Sequence, residues 1–293
     1  MGQHGRMSPA VESRTLTLRG DGVDLVADAF GDEHAQPVVL LHGGGQTRHA
    51  WGSAAQALAL AGRYALAVDL RGHGHSDWSP DGMYGLSRFA GDVHSIVGHL
   101  GRPPALVGAS LGGLSSIIAI GETTGQVASS LVLVDVAPRV EEEGRNKIGD
   151  FMRSGFDGFD TLDEAADLIA AFVPHRTRPT DLSGLKKNLR QRGDGRWYWH
   201  WDPRFITNRE GVDGQEGLVN HERLCAAARR ITIPTMLVRG RMSDIVSDES
   251  VRELRELVPH AEVVDVAGAG HMVAGDKNDV FNSAVIEFVS RHD

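Results

Sequence analysis

L-V-G-A-S-L-G-G, Leu106 to Gly113, is the stretch on which the reading of this chain turns. A short apolar run, Ala105 to Val107, enters a glycine-flanked turn, and a helical run is expected from about Leu114. Gly108-Ala109-Ser110-Leu111-Gly112 fits G-x-S-x-G, the nucleophile elbow, in which a strained strand-to-helix turn lifts a serine hydroxyl above the edge of a sheet. Gly108 and Gly112 let neighbouring backbone pass close to that turn, where any Cβ would collide. The plainer alternative is a serine that only caps a helix in a doubly wound domain. The strand before and the helix after make the elbow the stronger reading.

Working outward, the same kind of buried apolar run recurs on both sides. Pro37–Gly43, Tyr64–Leu70 and Leu131–Val136 read as strands covered on both faces, and Ile233–Gly240 and Ala261–Val266 complete the set. Helical stretches at 51–61, 86–100 and 114–121 separate the earlier ones, which predicts a mostly parallel sheet with right-handed crossovers. Two alternating segments, Arg14–Gly20 and Val23–Ala29, joined at Gly20-Asp21-Gly22, predict an antiparallel ribbon that opens the fold. Between the sixth and seventh strands, residues 139–230 are charged, helical in pattern and without an expected strand. They contain the aromatic cluster R-W-Y-W-H-W-D-P-R-F, Arg196 to Phe205. The expected organisation is a disordered tail at 1–13, an α/β core at 14–138 and 231–293, and a helical cap at 139–230. That cap would cover the carboxyl edge of the sheet, where open α/β sheets bind ligands.

Composition narrows the partners. Thirty Lys+Arg against 39 Asp+Glu give a net charge of −9 with no basic tract, so nucleic acid and anionic membrane are poor partners. The single cysteine, Cys225, excludes an intramolecular disulfide and a site of clustered thiolates, and points to a reducing compartment. No apolar run reaches spanning length and residues 1–12 lack the apolar core of a secretory signal, so a cytoplasmic location is expected.

More chemistry sits at the strand ends. His42-Gly43-Gly44-Gly45-Gln46 follows the third strand, and its glycines leave backbone N–H groups open toward a developing oxyanion. The donors expected are Gly44 and Leu111, with Gly45 as the fallback. Asp244 lies four residues past Gly240 in the loop after the seventh strand, and Gly268-Ala269-Gly270-His271-Met272 leaves the eighth. A serine hydroxyl needs an imidazole to take its proton, and a carboxylate to hold that imidazole in the right tautomer. Ser110, Asp244 and His271 supply the three parts from three strand-end loops.

With these motifs in order, the sequence resembles the α/β-hydrolase family over about residues 14–291. H-G-G-G-Q, D-L-R-G-H-G-H-S-D (Asp69 to Asp77), G-A-S-L-G-G, the loop to Asp244 and G-A-G-H-M-V-A-G-D (Gly268 to Asp276) all fall in family order. The resemblance is to capped carboxylesterases, which share their frame with epoxide hydrolases and cofactor-free perhydrolases. It implies an eight-stranded, mostly parallel sheet with a helical cap after the sixth strand. By position it implies Ser110 as nucleophile, Asp244 as acid, His271 as base and Gly44 with Leu111 as oxyanion donors. It also implies a small-molecule ester as substrate and no cofactor. Two departures matter: Ser110 stands where epoxide- and halide-displacing relatives carry aspartate, and Gly45 replaces the proline of their H-G-x-P loop.

Several residues keep two readings. Asp135 ends the sixth strand, where some relatives place the acid, and competes with Asp244. Asp69, Arg71 and Asp77 are expected to brace their loop. His73 and His75 suggest a metal pair that no cysteine or carboxylate cluster completes, so no metal is expected. His42 is expected to shape the oxyanion loop. Gly45, Trp199 and Met272 are candidate substrate contacts, although the Trp197, Trp199 and Trp201 alternation equally suits packing of the cap. The acyl acceptor stays open among water, peroxide and alcohol, C–C bond hydrolysis remains possible on the same triad, and a non-catalytic receptor on the same frame is the alternative of another class.

Overall fold

The computed structural model describes residues 11–174, 177–207, 220–267 and 278–292. Eight strands form one sheet: β1 (Ser13–Arg19), β2 (Asp24–Phe30), β3 (Pro37–Leu41), β4 (Tyr64–Val68), β5 (Ala105–Ala109), β6 (Ser130–Val134), β9 (Thr235–Gly240) and β10 (Glu262–Val266). Their spatial order is β1-β2-β4-β3-β5-β6-β9-β10. β1 and β2 pair antiparallel, β2 meets β4 antiparallel, and every later pairing is parallel. The sheet therefore has the mixed-but-mostly-parallel form expected. Of the tail expected at 1–13, residues 1–10 lie outside the described residues, and β1 already begins at Ser13.

Alternation along each strand divides the core between the two faces. On β4, Tyr64, Leu66 and Val68 pack to one side while Ala65 and Ala67 pack to the other. Helix α1 (Gly52–Leu60) and the last helix α9 (Asn278–Arg291) cover the second face, with Trp51 against Phe281 at 5.9 Å between ring centroids. Helices α2 (Leu86–Leu100), α3 (Leu111–Gly121) and α7 (His221–Ala228) cover the first. α3 is buried along almost its whole length because sheet, α2 and α7 all press on it. A Cβ on Gly121 would lie 2.2 Å from the Ala227 carbonyl oxygen, so glycine alone allows α3 and α7 to approach this closely.

Among its described residues, the segment between β6 and β9 adds no strand to the main sheet. It holds α4 (Glu142–Arg153), α5 (Leu162–Phe172), α6 (Arg204–Thr207) and α7. The expectation that it lacks strands is wrong. β7 (Leu189–Gln191) and β8 (Trp197–Trp199) form an antiparallel hairpin, and Phe159 bridges to Trp197 on its outer side. Trp197 and Trp199 alternate because they lie on a strand, a period of two that no helix produces.

Register is what gathers the site. Leu41 pairs with Gly108, Ala109 with Val134, and Val134 with Val238. The carboxyl ends of β3, β5, β6 and β9 therefore lie level, and the loops beginning at His42, Ser110, Asp135 and Arg241 leave from one edge.

Candidate active site

Ser110 sits between β5 and α3 with φ 45° and ψ −113°, a backbone conformation that non-glycine residues rarely adopt. The surrounding sequence holds it there. The Ser110 N–H donates to the Val134 carbonyl at 3.3 Å, and its own carbonyl accepts from Leu114 N–H at 2.9 Å. A Cβ on Gly108 would lie 2.5 Å from the backbone of Gly112 and Gly113, and one on Gly112 would lie 2.3 Å from the Leu41 carbonyl oxygen. The helix begins directly at Leu111, three residues earlier than the pattern predicted. Leu111 N–H is thus a first-turn donor with no intrahelical acceptor.

The loop after β3 is held by two buried imidazoles. His42 donates from Nδ1 to the Gly43 carbonyl at 2.8 Å and accepts at Nε2 from Leu70 N–H at 3.0 Å. His73 donates from Nδ1 to the Arg71 carbonyl at 3.0 Å and accepts at Nε2 from Gly45 N–H at 3.0 Å. A ring that must donate at one nitrogen and accept at the other is neutral. Burial agrees, lowering His42 to about 4 and His73 to about 3. His42 therefore shapes the loop, and His73 has no nitrogen left for a metal ion. Gly45 N–H is spent on His73, which removes it as the fallback oxyanion donor. Among the described residues, none accepts a hydrogen bond from Gly44 N–H.

The loop after β4 is braced as expected. Asp69, fully buried, accepts from Arg48 N–H at 2.7 Å and His75 N–H at 2.9 Å, and pairs with the Arg48 guanidinium at 2.5 Å. Arg71 grips Asp92 with two bonds of 2.7 and 2.6 Å, and Asp77 accepts from Asp24 N–H at 2.9 Å.

The two competing carboxylates differ in kind. Asp135 is fully buried, with φ 49°, and accepts from Gly240 N–H at 3.1 Å on one oxygen and from the Ser243 hydroxyl at 2.5 Å on the other. It ties the end of β6 to the end of β9. Asp244 is exposed, and its Oδ2 meets Lys147 Nζ of α4 at 3.1 Å. His271 and Met272 fall outside the described residues.

Trp199 is buried against Trp201 in a stack 4.8 Å apart, and its indole N–H donates to the Ser154 carbonyl at 3.0 Å. That is packing within the inserted segment. The residues that reach the glycine loop are others: a Cβ on Gly44 would lie 3.3 Å from the Phe205 ring, and one on Gly45 would lie 3.1 Å from Met152 and 3.5 Å from Trp201. Phe205 also packs edge-on to His73 at 4.9 Å. Sequence pattern marked the aromatic cluster but could not say which ring faces the loop, and Met152 carried no signal.

The elbow, the glycine loop and the level strand ends define an α/β hydrolase. Residues 38–284 match the model of the alpha/beta hydrolase family, and the chain belongs to that family. It is 32% identical over 255 residues to the esterase Rv0045c of Mycobacterium tuberculosis, covering 83% of this chain and 79% of that one. It is 27% identical over 286 residues to the non-heme chloroperoxidase CPO-A1 of Kitasatospora aureofaciens, covering 92% and 98%. The solved structure of E-2-(acetamidomethylene)succinate hydrolase superposes with a TM-score of 0.81 over 95% of this chain and all of that one, at 22% identity, which is a likeness of fold. Family and relatives together make the protein a hydrolase-type enzyme. None of the described helices is long and apolar enough to cross a membrane.

Proposed function

We propose that the protein is a serine carboxylesterase acting through an acyl-enzyme. The strained backbone of Ser110 between β5 and α3 carries this reading, because such strain persists only where surrounding structure over-determines it, and it clusters at active sites. In the proposed cycle His271 takes the Ser110 proton, and the oxygen attacks an ester carbonyl. Gly44 and Leu111 N–H groups receive the oxyanion, each worth roughly 3 kcal/mol of barrier. His271 returns the proton to the leaving alcohol, then activates the water that frees the acid. Asp244 orients His271. Asp244 is exposed in the loop after β9, where it pairs with Lys147 at 3.1 Å, and the competing Asp135 is buried, accepting from Gly240 N–H and the Ser243 hydroxyl. The segment 139–230 acts as the cap, since Met152, Trp201 and Phe205 set a wall of apolar side chains on the glycine loop. The esterase relative supports the ester as substrate.

The test is turnover of p-nitrophenyl acetate, butyrate and octanoate. Wild type hydrolyses at least one of them, Ser110→Ala loses at least a thousandfold in kcat, and Asp244→Asn loses far more than Asp135→Asn. Residual Ser110→Ala activity close to wild type contradicts the nucleophile, and the reverse ranking of the aspartates moves the acid. The chloroperoxidase relatives favour a second reading of the last step, with peroxide in place of water on the same acyl-enzyme. Peroxide-dependent peracid formation that vanishes in Ser110→Ala supports it.

A further inference from the structure

Among the described residues, His221, Cys225 and Glu253 bring three different metal-ligating atoms to one point. His221 and Cys225 stand one turn apart on α7, and Glu253 faces them from α8 (Asp248–Leu257). His221 Nε2 lies 2.7 Å from Glu253 Oε1, while Cys225 Sγ lies 3.3 Å from His221 Nε2 and 3.5 Å from Glu253 Oε1. A tetrahedral zinc ion, with Zn–S of about 2.3 Å and Zn–N or Zn–O of about 2.0 Å, sets S···N and S···O edges of about 3.5 Å and an N···O edge of about 3.3 Å. Two edges are within a few tenths of an ångström of that figure. The third opens by about half an ångström as one hydrogen bond gives way to two metal bonds.

The same three residues do not make a nucleophile. Both partners contact the same imidazole nitrogen, so the ring cannot pass a proton between them. Burial and the neighbouring Glu253 charge push the Cys225 thiol up to about 11. A cation at the centre reverses this: the metal ion takes the sulfur lone pair, the S–H bond breaks, and one proton leaves to solvent.

The surroundings suit such an ion. Arg139 donates to the other carboxylate oxygen of Glu253 at 2.8 and 3.1 Å, which fixes the carboxylate and leaves Oε1 for the metal. Glu249, 3.6 Å from Arg139, offsets part of that guanidinium's charge, while Arg229 sets a positive charge near the thiol that a bound ion must outweigh. Half of His221 is exposed, giving a path for entry and a fourth position for water. One sulfur, one nitrogen and one oxygen ligand select a borderline-soft ion such as Zn²⁺ or Co²⁺ over Mg²⁺ or Ca²⁺.

We propose that His221, Cys225 and Glu253 form a transition-metal site where the inserted segment leaves and rejoins the core. Arg139 lies at its start, His221 and Cys225 lie on its last helix, and Glu253 belongs to the core. An ion there clips both ends of the insertion to α8.

The experiment is Co²⁺ titration of the full chain at pH 8, followed by optical spectroscopy. Cys225 is the sole cysteine, so a thiolate-to-cobalt charge-transfer band has one possible origin. The expected result is a saturable band at one ion per chain, displaced by Zn²⁺. It disappears in Cys225→Ser and needs at least tenfold more cobalt in His221→Ala and in Glu253→Gln. Zn²⁺ also slows alkylation of Cys225 in wild type, and metal-free Cys225→Ser keeps wild-type ester turnover. Absence of the band at millimolar Co²⁺, with the thiol still freely alkylated, overturns the site. So does a band undiminished in both ligand variants.

Discussion

Gly112 shows how closely single residues are fitted around Ser110. Its missing Cβ leaves room for the Leu41 carbonyl, and that is rigid backbone rather than a side chain able to swing away. Gly112→Ala is therefore expected to lower stability by about 1–3 kcal/mol, read from urea unfolding, and to reduce ester turnover with it. Gly98, on the exposed side of α2, has open space around the position a Cβ would take. Gly98→Ala is expected to raise stability by about 0.5–1 kcal/mol, since alanine favours helix and restricts the unfolded chain. If both substitutions shift the urea midpoint equally, steric fit is not what distinguishes the elbow glycine. G-x-S-x-G was legible because glycine spacing reports backbone crowding directly. The choice between Asp135 and Asp244 was not, because both lie in strand-end loops at the same edge of the sheet.

At the scale of elements, the loops after β3 and β4 are joined through His42 and His73, and this gives the fold an acid-sensitive joint. Both pKa values lie below the ordinary 6.5, so between that value and about 4 the unfolded chain binds more protons than the folded one. Stability is then full above about pH 6.5 and is lost as pH falls, at up to about 1.4 kcal/mol per pH unit for each ring. Urea unfolding at pH 7, 6 and 5 is expected to show a shallower slope in His42→Gln than in wild type. Identical slopes would mean that His42 is not held neutral. The eight sheet strands and their mostly parallel pairing were readable in advance, because apolar runs alternating with helical stretches imply parallel crossovers. The β7–β8 hairpin was not, with strands of three residues and Arg190 and Gln191 exposed. Contacts distant in sequence hold it: Phe159 against Trp199 at 5.2 Å, and Arg190 donating to the Gly74 carbonyl.

Across the whole molecule, the inserted segment is fastened to the core beside the glycine loop. Asp202 accepts from the Tyr84 hydroxyl at 2.6 Å, pairs with Arg204 at 2.7 Å, and gives its N–H to the Gly72 carbonyl at 2.8 Å. Tyr84→Phe leaves a buried carboxylate short of one donor, so a loss of roughly 1.5–3 kcal/mol is expected by urea unfolding. An unchanged midpoint would show that Arg204 alone satisfies Asp202. No sequence pattern foretold this fastening, since Tyr84 and Asp202 are 118 residues apart. The proposed chemistry rests on one atom, the Ser110 hydroxyl oxygen. The most direct measurement is to react the purified protein with a fluorophosphonate and locate the adduct by mass spectrometry of its peptides. A single adduct on Ser110 is expected, formed in step with loss of ester turnover. An adduct elsewhere, or full turnover with Ser110 unmodified, would contradict it.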